Sequence, residues 1–168
     1  QGYSSAASDV YKRQEFATEL GCPVAIGDKT RFGHDENAKI LEIIGDVKDK
    51  NCLVVDDFSI SGGTLVDIAY GLKDKGANSV FAALSHNVLS AKGLEKIEKS
   101  PIEFLVSTDT LECHDAAVST KLRTISAAPM FAQAVKIIHD RAPISNMFEQ
   151  RVSKRLLDMS FMEQQSLL

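Results

Sequence analysis

The chain has 168 residues, 19 basic against 23 acidic side chains and a formal net charge of −4, enough for one domain with a single core and short of two ordinary ones. Hydrophobic residues at 44% and charged residues at 25% exclude a disordered or fibrous chain. The acidic balance excludes a broad nucleic-acid footprint, which needs clustered Lys and Arg, and no apolar run reaches the roughly 18 residues of a membrane span.

Residues 1–14 are small, polar and aperiodic, and SSAASDVYKRQ reads either as translated adapter sequence or as a disordered native terminus. Glu15 to Leu20, followed by Gly21, has the pattern of a helix end with its glycine stop. Val24 to Ile26 is a short apolar strand candidate leading into Gly27-Asp28-Lys29-Thr30-Arg31, and Phe32 to Asn37 reads as a loop. Ile40 to Ile44 is a second strand, closed by Gly45-Asp46. Cys52 to Val55 is a continuous apolar run of the kind covered on both faces of a parallel sheet, ending at two aspartates. Leu65, Ile68, Ala69 and Leu72 then recur at helical spacing, with Gly76 as the stop. Further strands are expected at Val80 to Leu84, Phe104 to Val106 and Leu122 to Ile125. Helices are expected at Ala91 to Lys99, ended by Pro101, and around Phe131, Ala134, Val135 and Ile138. The alternation predicts an α/β fold: a three-layer, open, mostly parallel sheet with helices on both faces and ligands at the carboxyl ends of the strands.

At the end of the strongest strand stands Asp56-Asp57-Phe58-Ser59-Ile60-Ser61-Gly62-Gly63-Thr64, opening directly into a helix. Gly62 and Gly63 let the backbone turn and present N–H groups, while Ser61 and Thr64 add hydroxyls at a helix N-terminus, an arrangement that suits a phosphate. Carboxylates just before it would repel the phosphate but suit the polyol attached to it, or a divalent cation. The pattern asks for a phosphorylated sugar; a solvated turn at Asp57 and an ordinary capped strand-to-helix turn remain the plainer alternative. Three cysteines, Cys22, Cys52 and Cys113, are odd in number and far apart, so neither disulfides nor a metal cluster is expected, and a cytoplasmic location is. His114 and His139 show no metal-ligand spacing. His34 reads as a solvent-exposed loop residue. His86 is open between a satisfied strand-end histidine and a nucleotide-proximal one.

The segment VVDDFSISGGTL resembles the phosphoribosyl-diphosphate loop of type I phosphoribosyltransferase-like folds. Residues 15–148, about four fifths of the chain, are similar to the C-terminal domain of the ribose-phosphate pyrophosphokinase family in AIGDKTR, IIGDVKDKNCLVVDD, GLKDKGANSVFAALSHNVLS, VSTDT and ISNMF. The resemblance implies a ribose-phosphate diphosphokinase that transfers diphosphate from ATP to ribose 5-phosphate, giving phosphoribosyl diphosphate and AMP. It places Lys29 and Arg31 as catalytic side chains reaching the transferred phosphates, with residues 32–37 as a closing loop, and Asp56, Asp57, Ser61, Gly62, Gly63 and Thr64 as the ribose 5-phosphate site. It implies magnesium as cofactor, with ligands mainly in an N-terminal domain that has no counterpart here, and homo-oligomers of the full-length protein. The fragment alone is expected to be inactive. Ile60 departs from the family, many of whose members carry aspartate there, while a variant branch has other residues. A phosphoribosyltransferase of base salvage and a non-catalytic synthetase-associated subunit are the alternatives. Residues 149–168 form an amphipathic extension, with Val152, Leu156, Met159 and Met162 on one face.

Overall fold

A computed structural model describes residues 14–31, 39–112, 119–145 and 147, with the side chains of residues 28–31 and 39–42 outside the description. Residues 14–20 form helix α1, which ends at Gly21 with φ 61, the left-handed stop expected of glycine. Two strands follow, β1 (Ile26–Arg31) and β2 (Lys39–Ile44), paired antiparallel from Ile26↔Ile44 to Arg31↔Lys39. Strand β3 (Asn51–Ser59) leads into helix α2 (Gly63–Asp74). Strand β4 (Ser79–Asn87), helix α3 (Ala91–Lys99) and strand β5 (Ile102–Thr108) come next, then strand β6 (Leu122–Ile125) and helix α4 (Ala128–His139). The sheet order is β3-β4-β5-β6, every pairing parallel, and helices flank it.

The predicted α/β architecture holds, and three details differ. β1 starts at Ile26, not Val24, and takes in Lys29 and Arg31, because the ladder with β2 extends through both positions. β3 does not stop at Asp56 but runs on to Ser59, held by pairs down to Ser59↔Asn87 on β4. Nor is β3 covered on both faces: among the described residues it is the end strand of its sheet, its exposure nearly alternates, and Leu53 is 43% exposed. The loop at 32–37, His34, Cys113, His114 and the two termini lie outside the described residues.

The core explains the arrangement. β4 alternates, with Val80, Ala82 and Leu84 buried on one face. Leu65, Ala69 and Leu72 of α2, Leu94 and Ile97 of α3, and Ile102 and Leu105 of β5 join them in one cluster, removing apolar area worth about 1.5–3 kcal/mol for each large side chain. Phe81 and Phe104 stack on neighbouring strands with ring centroids 4.5 Å apart, a spacing typical of aromatic pairs. Gly76, with φ 86, closes α2 through its N–H to the Lys73 carbonyl at 2.9 Å, and Lys75 Nζ donates to the Ile43 carbonyl at 2.7 Å, tying α2 to β2.

Candidate functional site

The carboxyl end of β3 carries Asp56, exposed, and Asp57, half-buried. The Asp57 N–H donates to Asp56 Oδ1 at 2.9 Å, which fixes one oxygen of that carboxylate against its own backbone. The chain then turns through Ser59 to Gly62. Ser59 Oγ accepts from the Gly62 N–H at 3.2 Å, and Ser61 Oγ accepts from the Gly63 N–H at 3.4 Å. Gly62 is the N-cap of α2 with φ 68, a left-handed conformation that costs a residue with a Cβ roughly 1–2 kcal/mol.

Helix α2 begins with no side-chain cap and no acidic residue in its first turn. Beyond the Gly62 and Gly63 N–H groups, which the Ser59 and Ser61 hydroxyls take, the positive end of the helix stays open to an anion. The turn is braced from behind by α3. Ser90 caps α3 by accepting from the Gly93 N–H, and the Ser90 N–H donates to the Ile60 carbonyl at 3.1 Å. A Cβ on Gly62 would stand 3.1 Å from the Gly93 carbonyl oxygen, and one on Gly93 would stand 3.1 Å from the Ile60 oxygen. Both positions are glycine because two backbones meet there.

Beside this loop, at the ends of β4 and β5, His86 Nδ1 lies 2.7 Å from Thr110 Oγ1, and the Thr108 hydroxyl donates to the Ser85 carbonyl. His86 is therefore satisfied within the strand-end cluster through one of its ring nitrogens. Asp109 accepts from the Ala127 N–H and from Ser126 Oγ, each at 2.7 Å. These two bonds, the backbone one first, hold its carboxyl below the usual aspartate range. Among the described residues no three His, Cys, Asp or Glu side chains gather into a metal cage.

The structure thus brings Asp56, Asp57, Ser61, Gly62, Gly63 and Thr64 into one continuous strand-turn-helix site. Lys29 and Arg31 lie on β1 in extended backbone, and their side chains fall outside the description. Sequence reasoning missed Ser59, whose hydroxyl holds the turn, and the contribution of Ser90 and Gly93; the signal for the first was a third hydroxyl within the loop motif. Ile60 is 64% exposed, its carbonyl engaged and its side chain turned to solvent.

A parallel α/β sheet whose strand end carries two successive carboxylates and runs through a glycine turn into the N-terminus of α2 is an arrangement suited to a phosphorylated ligand. The phosphoribosyl synthetase-associated domain model matches residues 29–149, and the chain belongs to that family. It is 39% identical over 140 residues to the ribose-phosphate pyrophosphokinase of Clostridium perfringens, covering 83% of this chain and 44% of the relative. It is also 39% identical over 140 residues to ribose-phosphate pyrophosphokinase 1 of Lactococcus lactis, covering 83% and 43%. The crystal structure of phosphoribosylpyrophosphate synthetase from Mycobacterium smegmatis superposes with a TM-score of 0.68 at 28% identity, over 77% of this chain and 41% of that one. The chain spans less than half the length of these relatives. No described helix is long and apolar enough to cross a membrane.

Proposed function

We propose that the chain is the ribose 5-phosphate-binding half of a ribose-phosphate diphosphokinase, which moves a diphosphate from ATP to the anomeric hydroxyl of ribose 5-phosphate and releases AMP. The observation that carries this reading is the succession at the end of β3: two adjacent carboxylates, a left-handed glycine, and a helix whose first turn is uncapped and free of acidic side chains. The sugar phosphate sits at the N-terminus of α2, taking N–H groups of the first turn and the hydroxyls of Ser61 and Thr64. Asp56 and Asp57 accept the ribose hydroxyls, orienting the anomeric oxygen toward the donor. Orientation is the main contribution available to such a site, since phosphoryl transfer is catalysed largely by positioning and charge neutralisation.

A magnesium ion would be held here by one carboxylate, since Asp56 and Asp57 are consecutive residues of the extended β3 and face opposite sides, with water and substrate phosphates completing its shell; when bound it would neutralise charge on the transferring group. We assign Lys29 and Arg31, alternate residues of one extended strand, to the transferred phosphates. The chain alone binds sugar phosphate without turnover, and the full-length protein is a cytoplasmic homo-oligomer. Titration calorimetry of the 168-residue chain with ribose 5-phosphate, phosphoribosyl diphosphate and adenine tests the reading. Ribose 5-phosphate should bind, and Asp57→Asn should weaken it at least tenfold. Tight binding of free adenine would instead favour a base-salvage transferase. The non-catalytic alternative rests on Ile60 alone, against the retention of both carboxylates and both cations.

A further inference from the structure

Strand β4 ends on Ser85-His86-Asn87, and its alternation breaks there. Val80, Ala82 and Leu84 are buried, yet His86, the next residue of that series, is exposed. The β4–β5 register shifts between Leu84 and His86, and such an irregularity re-aims the side chain at a strand end. On its other side His86 is level with Phe58 of β3, the residue that follows Asp56 and Asp57. Neighbouring strands lie about 4.8 Å apart, so the imidazole stands one strand across from the two carboxylates.

An exposed side chain is ordinarily free to change rotamer, and ordering it costs conformational entropy. His86 is held by a chain of polar groups whose direction follows from their chemistry. The Ser85 carbonyl can only accept, so the Thr108 hydroxyl commits its proton there. Thr110 Oγ1 lies 2.8 Å from Thr108 Oγ1 and 2.7 Å from His86 Nδ1. With the Thr108 proton committed, the first of these contacts is a hydrogen bond only when Thr110 donates. Thr110 then has no proton left for the histidine, and the second contact is a hydrogen bond only when Nδ1 carries a proton and donates. Were Thr110 to donate to Nδ1, or to the Ser85 carbonyl at 3.4 Å, hydroxyl lone pairs would oppose each other at 2.8 Å. The order Nδ1–H, Thr110, Thr108, Ser85 carbonyl satisfies every member. In the neutral ring it leaves Nε2 a bare acceptor, and among the described residues Nε2 has no hydrogen-bond partner.

We propose that His86 Nε2 accepts a hydrogen bond from a ribose hydroxyl, making it a third sugar-binding group beside Asp56 and Asp57, and that Thr110 positions it by fixing its tautomer. The proposal rests on the ribose 5-phosphate reading of the β3 site. In the sheet order β3-β4-β5, the Nδ1 bond runs to Thr110, just past the end of β5. Nε2 lies across the ring from that bond, so the free acceptor is turned from β5 toward the end of β3. Chemistry then selects the ligand. A bare Nε2 takes only a donor, and a phosphate dianion offers acceptor oxygens alone, whereas sugar hydroxyls donate. The carboxylates one strand across are acceptors as well, and a polyol has donors for all three.

The test has a ligand-free arm and a ligand arm. Long-range proton–nitrogen NMR of the 168-residue chain at about pH 8.5, where an ordinary imidazole with a pKa of roughly 6.5 is neutral, should show His86 protonated at Nδ1 and bare at Nε2. Loss of the signal in His86→Phe assigns it. Thr110→Val should mix the two tautomers, and Thr110→Ser should keep the proton on Nδ1. Ribose 5-phosphate should move the Nε2 resonance upfield, and inorganic phosphate should leave it in place. In calorimetry His86→Phe and Thr110→Val should each weaken ribose 5-phosphate binding about fivefold, the net worth of an ordinary hydrogen bond. Affinity for inorganic phosphate should not change, and Thr110→Ser should bind as the parent does. A proton on Nε2 in the free chain overturns the proposal whether or not the sugar binds. Unchanged ribose 5-phosphate constants in both variants overturn it and leave the β3 site reading standing. Equal losses for phosphate and sugar overturn it too, since they make His86 a prop of the turn. A parent chain that does not bind ribose 5-phosphate fails the site reading itself, and the proposal with it.

Discussion

Replacing Gly62 by alanine probes the conformation on which the phosphate turn depends. At φ 68 the added Cβ costs roughly 1–2 kcal/mol through the left-handed backbone alone. The same Cβ would lie 3.1 Å from the Gly93 carbonyl oxygen and 3.5 Å from Ile97 Cδ1, so α3 has to give way, adding about 1 kcal/mol at the low end of overpacking costs. A total near 2–3 kcal/mol should lower the melting temperature by roughly 6–15 °C for a domain of this size. It should also weaken ribose 5-phosphate binding, because relief of the clash moves the first turn of α2. Gly63→Ala is the control: its Cβ has only Ser61 Oγ within reach, at 3.5 Å, and stability should hold or rise by about 0.5–1 kcal/mol. Urea unfolding by far-UV circular dichroism and calorimetry with ribose 5-phosphate read both quantities. A Gly62→Ala chain as stable as its parent and equal in affinity would refute the reasoning.

Ile60→Asp, at a side chain 64% exposed, should leave stability within about 0.5 kcal/mol and tighten ribose 5-phosphate binding by adding an acceptor beside the sugar; an unchanged dissociation constant counts against a sugar-facing role for this position. Gly93→Ala, which as a helix substitution elsewhere would gain about 0.5–1 kcal/mol, should instead destabilise, since its Cβ meets Ile60 O at 3.1 Å and Ser61 C at 3.2 Å; a stabilised variant would show that the loop yields freely. Glu98 is held below its ordinary value near 4.5, chiefly by the Thr120 hydroxyl and then by that of Ser119. A carboxyl depressed in the folded state contributes stability above its unfolded pKa and loses it as pH falls through the folded one, so urea midpoints should drop below about pH 4.5 and drop less in Glu98→Gln. Parallel pH curves for the two proteins would remove Glu98 from that account.

Much of the fold was legible because periodicity reports burial. The 3.6-residue recurrence of Leu65, Ala69 and Leu72, Val80, Ala82 and Leu84 of β4, and Ile102 and Leu105 of β5 all face one core, and Gly21 and Gly76 mark helix ends by their positive φ. The misreadings share a cause. A strand was recognised only where its residues were apolar, yet backbone pairing carries β1 through Lys29 and Arg31 and β3 through Asp56 and Asp57. Hydrophobicity marks the covered part of a strand, while ladder hydrogen bonds set its length. The same limit hid the end position of β3 among the described strands, since an apolar run reads alike in an inner strand and an outer one. The site residues from Asp56 to Thr64 were legible because their chemistry is local, but Ser90 and Gly93 carry no sign in sequence of the loop they support.

That support bears on how the site works. The Ile60 carbonyl accepts from the Ser90 N–H, and Gly62 and Gly93 permit a backbone approach that any Cβ would obstruct. The turn therefore holds its shape through α3, which is itself anchored in the core by Leu94 and Ile97, both 0% exposed. A cradle fixed in this way needs little ordering when the ligand arrives, so less of the interaction energy is lost to conformational entropy. Asp56 and Asp57, by contrast, sit at the end of a strand whose outer neighbour is missing among the described residues. Under the proposed reading phosphate is held by the turn that α3 braces and the sugar by carboxylates at the end of β3, so in calorimetry Gly93→Ala should weaken binding of inorganic phosphate and ribose 5-phosphate alike, and Asp57→Asn only that of ribose 5-phosphate.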